Sequence, residues 1–200
     1  MRIISNALEN NQMTLKTCQQ AWLDMTEATG EQSVYNYVQE LDMTDYLVET
    51  ELFSAPVLDA YSAWNLEQPV TDEQRQYFSD LRGGGQGNYR EGMAAKIANT
   101  VACLSRFPLS KRALITISNN PGASHENDDD AKCMRELQLY LDSGNNLCGT
   151  VMFRAQAALI FPKNIHFIGS LMSEIASQLP GQPSLGRLFY LATILVSDRA

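Results

Sequence analysis

Residues 135–156 read RELQLYLDSGNNLCGTVMFRAQ, and this run limits the possible folds more than any other. Leu137, Leu139 and Leu141 alternate with Glu136, Gln138 and Tyr140, the period of a strand with one face in a core. DSGNN is a turn, and LCGTVMFRAQ continues as a second strand. RALITIS before this pair and RLFYLATILVS near the end of the chain also read as strands. Apolar positions at helical spacing mark three covering elements: Leu15, Cys18, Trp22 and Met25, stopped by Gly30; Met93, Ile97, Val101 and Leu104, ending near Phe107-Pro108; and Ile165, Ile168, Met172 and Ile175, with Asn164 as the N-cap. DYLVETELFSAPVLDAY reads as extended chain broken by Pro56. TDEQRQYFSD reads as a short helix with Thr71 and Gln74 forming a capping box. The order helix, strand, helix, three strands, helix, strand predicts an α/β (α+β) fold, a mixed β-sheet flanked by helices, in one domain over residues 1–200.

The chain has 200 residues, a size that buries one core. No apolar run reaches the roughly 18 residues that span a bilayer. The start MRIISNALENNQM is too short in apolar residues for a secretory signal, so a cytoplasmic protein without membrane contact is expected. Cys18, Cys103, Cys133 and Cys148 form no CxxC pair, which argues against zinc and for reduced thiols. Three of them, Cys18, Cys103 and Cys148, lie in apolar periodic stretches and read as core. A net charge of −8 disfavours binding to nucleic acid polymers, although a local basic pocket for one phosphate remains compatible with it. LRGGGQGNYREG lacks the Gly-Lys-Ser/Thr ending of a phosphate loop and reads as a plain loop. The spacing of His125, Glu126 and Asp128–Asp130 matches no calcium loop, so no metal is expected.

Cys133 stands apart from the other thiols. It follows three aspartates and lies between Lys132 and Arg135, at the junction of a polar loop and an alternating strand. A free thiol is only a few per cent ionised at pH 7, and neighbouring cations raise that share while Asp128–Asp130 lower it. Arg112 opens the preceding strand, Arg154 closes the strand pair, and Asn164 starts the next helix. Guanidinium groups clamp phosphate bidentately, and a carboxamide offers a donor and an acceptor to one edge of a base. No motif supports pairing Cys133 with His166 as a protease dyad.

The stretch FPLSKRALITISNNPG…AKCMRELQLYLDSGNNLCGTVMFRAQAALIFPKNI resembles the core of the thymidylate synthase and pyrimidine nucleotide hydroxymethylase family, over about Tyr89 to Gln178. The resemblance implies that Cys133 is the nucleophile adding to C6 of a pyrimidine nucleoside monophosphate. It implies that Arg154 and Arg112, the latter from the partner subunit of a homodimer, hold the phosphate. Asn164 would read the base, with Gln138 and Tyr89 in the matching strand and pocket. A reduced folate (methylenetetrahydrofolate) would be the one-carbon donor. The family's histidine after the cysteine is Met134 here, its proline before it is Lys132, and its Arg-Ser-x-Asp is Arg154-Ala155-Gln156-Ala157. A one-residue deletion precedes Asn164. The expected function is therefore C5 methyl or hydroxymethyl transfer. The alternative is a catalytically inactive member of the same fold that binds a nucleotide or a protein.

Overall fold

The computed structural model describes residues 14–83, 89–117 and 132–198. His125, Glu126, Asp128–Asp130 and the centre of the glycine-rich segment lie outside them. Six strands form one mixed sheet: β1 (Lys16–Thr17), β2 (Val34–Asp42), β3 (Leu114–Thr116), β4 (Met134–Leu141), β5 (Asn146–Ala157) and β6 (Ser184–Val196), in the spatial order β1-β2-β6-β5-β4-β3. The hairpin legible in the sequence is the β4–β5 pair, antiparallel, with Leu137 opposite Val151 and Leu139 opposite Gly149. β6 runs parallel to β5 and antiparallel to β2, so the last described strand lies in the middle of the sheet. The parallel pair requires a crossover, and α5 (Phe161–Gln178) supplies it.

The helices α1 (Cys18–Ala28), α4 (Met93–Arg106) and α5 cover one face of this sheet, and α2 (Ala55–Asn65) packs on α5. Leu137, Val151, Phe153, Leu188, Tyr190 and Ala192 are fully buried there, together with Ile165, Ile168, Met172 and Ile175 of α5. Full burial of side chains of this size is worth about 1.5–3 kcal/mol each. Caps fix the helix starts. Thr17 and Gln20 form a capping box on α1, and Thr71 and Gln74 form the expected one on the short α3 (Asp72–Arg75).

Three expectations are corrected. The segment around Pro56 is a helix, because the proline occupies the first turn, where its missing N–H costs nothing, and Val57, Leu58 and Tyr61 recur on one buried face. The first full strand is instead Val34–Asp42; its alternation is obscured by Asn36 at φ 55° and by Gln39, whose buried amide donates to the Thr14 and Glu40 carbonyls. Asn164 is not the N-cap of α5. The helix begins three residues earlier with Pro162 in its first turn, and the Asn164 side chain is used elsewhere.

Among the described residues no helix is long and apolar enough to cross a membrane. Cys18 and Cys148 are buried as read from the sequence, whereas Cys103 is only half-buried.

Candidate functional site

The helix-flanked sheet opens at one end into a cavity of ≈ 460 Å³, within the roughly 300–1,000 Å³ of small-molecule sites. Its wall includes the carboxyl ends of the parallel strands, Ala155–Ala157 of β5 and Val196 of β6. Open sheets bind ligands outside those ends. The segment after α1, Tyr61 of α2, and Lys163 and Asn164 in the first turn of α5 complete most of the enclosure.

Cys133 enters this cavity from the residue just before β4. Its carbonyl accepts the Arg154 N–H at 2.8 Å, which anchors the thiol-bearing residue to the end of β5. The next residue, Met134, is fully buried, so the position of the family's histidine is filled by a core side chain. Tyr89 also lines the cavity. Its N–H donates to Asn65 Oδ1 at 2.6 Å, its hydroxyl accepts the Met134 N–H at 3.4 Å, and its ring stacks on Phe167 at 5.6 Å. Thus Cys133, Tyr89 and Asn164 share one wall system.

The other named residues lie elsewhere. Neither Arg112, Arg154 nor Gln138 is among the described residues lining that cavity. Arg112 sits in a shallow groove with Arg106, Phe107 and Leu109. Gln138 stands on the sheet face that no described helix covers, where its amide donates to the Lys111 carbonyl at 3.1 Å. Arg154 is half-buried near the end of β5, where the alternation breaks: Phe153 and Gln156 are buried, and Arg154 and Ala155 between them are not. His166 is remote from Cys133 in function: its Nδ1 meets Ser62 Oγ at 2.8 Å, its Nε2 lies 3.6 Å from Asp59 Oδ1, and Tyr46 packs against its ring.

No protein family model and no curated protein matches the chain.

Two wall residues, Lys163 and Gln156, and the nearby Gly83 escaped the sequence reading. Lys163 is 2% exposed; its ammonium donates to the Leu81 carbonyl at 2.7 Å and lies 5.1 Å from the centre of the Tyr61 ring. Gly83, at φ 86°, lets the chain pass this ring, since a Cβ there would stand 2.5 Å from a Tyr61 ring carbon. Gln156 accepts hydrogen bonds from Asn164 Nδ2 (2.9 Å) and from the Tyr190 hydroxyl (2.7 Å) on one oxygen. Burial pushes the Tyr190 phenol well above its ordinary pKa, and Tyr89, Tyr37 and Cys133 nearby add to the effect, so it stays a donor. The available signal was polarity inside an apolar helix: FPKNIHFIG is buried at every position, yet carries a lysine, an asparagine and a histidine.

Lys163, Glu31 and Asp198 are the charged groups of the described wall. A pteridine needs an open ring face to stack on. The aromatic rings of this wall, Tyr61 and Tyr89, are 1% and 5% exposed and packed against Phe167, so the described residues do not fit a reduced folate.

Proposed function

We propose that the chain is a thymidylate-synthase-like transferase that acts at C5 of a pyrimidine nucleotide. The observation that carries the reading is the shared cavity, in which a half-buried thiol and a buried carboxamide face one space at the carboxyl ends of parallel strands. The Cys133 thiolate adds to C6 of the ring, and the electron pair released onto C5 attacks a one-carbon electrophile. Loss of the C5 proton and expulsion of the thiolate then restore the ring. Asn164 reads the base edge.

The phosphate contact comes from outside the cavity of the same chain, which suits a homodimer. Arg112 is exposed and lines a groove other than the cavity that holds its own Cys133, as a group serving a second subunit would. The sheet face that no described helix covers supports such a partner. Val38, Leu191, Met152 and Glu136 form one row across four strands, and Glu40, Phe189, Thr150, Gln138 and Leu114 form the next. Val38, Leu114 and Tyr140 on that face are 39–44% exposed, and a sheet face of this composition is stabilised by a covering layer.

A second reading, a binding module of the same fold without chemistry, draws on Met134 and Ala157 in place of the family's histidine and aspartate. Calorimetric titration with UMP, dUMP, CMP and dCMP, repeated in Arg112→Ala, tests the nucleotide site; no heat from any of the four removes both nucleotide readings. Tritium release from C5-labelled nucleotide tests the chemistry. Release that disappears in Cys133→Ala supports the transferase, and binding without release with any donor leaves the module.

A further inference from the structure

Trp64, in the last turn of α2, carries two guanidinium groups on one indole. The Arg90 Cζ lies 3.8 Å from the ring centre and the Arg75 Cζ 5.4 Å from it, while Phe78 tilts against the same ring at 5.8 Å. Arg90 is half-buried and Arg75 is exposed. Stacking uses the flat face of a guanidinium and leaves its five N–H groups, which lie in its plane, to be met by something else. Among the described residues neither side chain donates a hydrogen bond or forms an ion pair. The Trp64 Nε1 is buried and likewise has no partner. Glu67, the acid nearest to Trp64 in the chain, commits both carboxylate oxygens to the Gly92 and Ala94 N–H groups at the start of α4. In a chain with 23 acidic residues, two positive charges and an indole N–H thus meet without an acceptor. The face of the ring offsets part of the repulsion between the two cations, and an anion would offset the rest.

We propose that Arg75 and Arg90, stacked on Trp64, form a binding site for a phosphate dianion, free or as a small monoester. Both guanidinium carbons lie within 5.4 Å of one point, so a single anion at the edge of the ring reaches both. A phosphate monoester brings a charge of about −2 at neutral pH and three terminal oxygens, which match two cations and give each fork a bidentate partner. A carboxylate brings one charge and two oxygens, enough for one fork only. The site is independent of the nucleotide reading, since none of the three residues lines the cavity.

Trp64 reports on its own site. The chain has two tryptophans, so Trp22→Phe leaves Trp64 as the one indole whose emission changes. This variant is titrated with inorganic phosphate and with glycerol phosphate at about pH 8, where the dianion dominates. Ionic strength is held constant with chloride, because exposed charges are screened by salt. A saturable change in emission with either phosphate, and none with acetate over the same range, is expected; the tighter of the two phosphates identifies the free ion or the ester as the ligand. Arg75→Met should weaken the binding by roughly tenfold, the scale of losing charge-assisted hydrogen bonds. Arg75→Lys, which keeps the charge and loses the fork, should fall between the two. Should Trp22→Phe fail to fold, a phosphate-dependent rise in the thermal midpoint of the wild type, absent in Arg75→Met, carries the test. No saturable change with either phosphate, an equal change with chloride alone, acetate binding as tightly as phosphate, or an unchanged affinity in Arg75→Met overturns the proposal.

Discussion

At the scale of single residues, the four thiols occupy different chemical environments. Burial beside Asp45 and Asp42 pushes Cys18 up to about 12, and burial also raises Cys148. Cys133 stands half-buried at a cavity wall. Since the thiolate is the reacting form, iodoacetamide under native conditions should label Cys133 well ahead of Cys18 and Cys148, as read by peptide mass spectrometry. Equal labelling of the three would place Cys133 inside the core. His166 is the second residue with a measurable signature. Burial lowers its pKa from 6.5, with Asp59 opposing. The unfolded chain therefore takes up the proton first. Stability from the neutral ring is complete above about pH 6.5 and is lost as the pH falls through the lower folded value. Thermal midpoints should thus decline from about pH 7 toward pH 5, more steeply than in His166→Gln. Cys133 was visible in the sequence because it stood beside charge. The Ser62–His166–Asp59 contact was not, because it joins residues more than a hundred positions apart.

At the scale of elements, α5 gives the cavity wall Lys163 and Asn164 and shows where pattern reading succeeds and stops. Its apolar period was legible from Ile165 onward, and so was its existence. Its true start was hidden, since Asn164 has the chemistry of a cap but spends its side chain on Gln156 across the β5–α5 junction. The strand β2 and the helix α2 were exchanged for similar reasons. Asn36 interrupts one period, and Pro56 resembles a breaker where it is a helix starter. Glycine 169 gives an element-scale prediction. A Cβ at Gly169 would fall inside the ring of Tyr46, which lies directly on the helix. Gly169→Ala should therefore destabilise by about 1–3 kcal/mol despite the better helix propensity of alanine, seen as a lower urea midpoint. A midpoint equal to or above that of the wild type would show that the ring moves aside freely.

At the scale of the whole molecule, the β4–β5 hairpin and the helix-covered sheet were readable because they follow from local alternation. Strand order was not, because nothing in RLFYLATILVS tells that it inserts between β2 and β5 rather than at an edge. Its near-continuous apolarity was the one hint, since central strands buried on one face and half-covered on the other lose the clean alternation. The uncovered face yields the prediction for assembly. Sedimentation equilibrium should give a dimer for the wild type, and Leu191→Lys, in the row formed with Val38 and Met152, should shift it toward monomer with little loss of monomer stability. A wild-type monomer at micromolar concentration would leave Arg112 without a site to serve.

The central seat of β6 also governs how the chain can be assembled in time. Until Ser184–Val196 arrives, β1–β2 and β3–β5 are two separate ribbons, each with an unfinished border, and no hydrogen bond joins them. Joining the two ribbons must wait for a segment about 150 residues downstream of β2, a long-range pairing that leaves both borders open to stray strands meanwhile. One stretch of thirteen residues thus works as the keystone: it joins the two halves of the sheet and brings Val196 to the cavity wall in the same step.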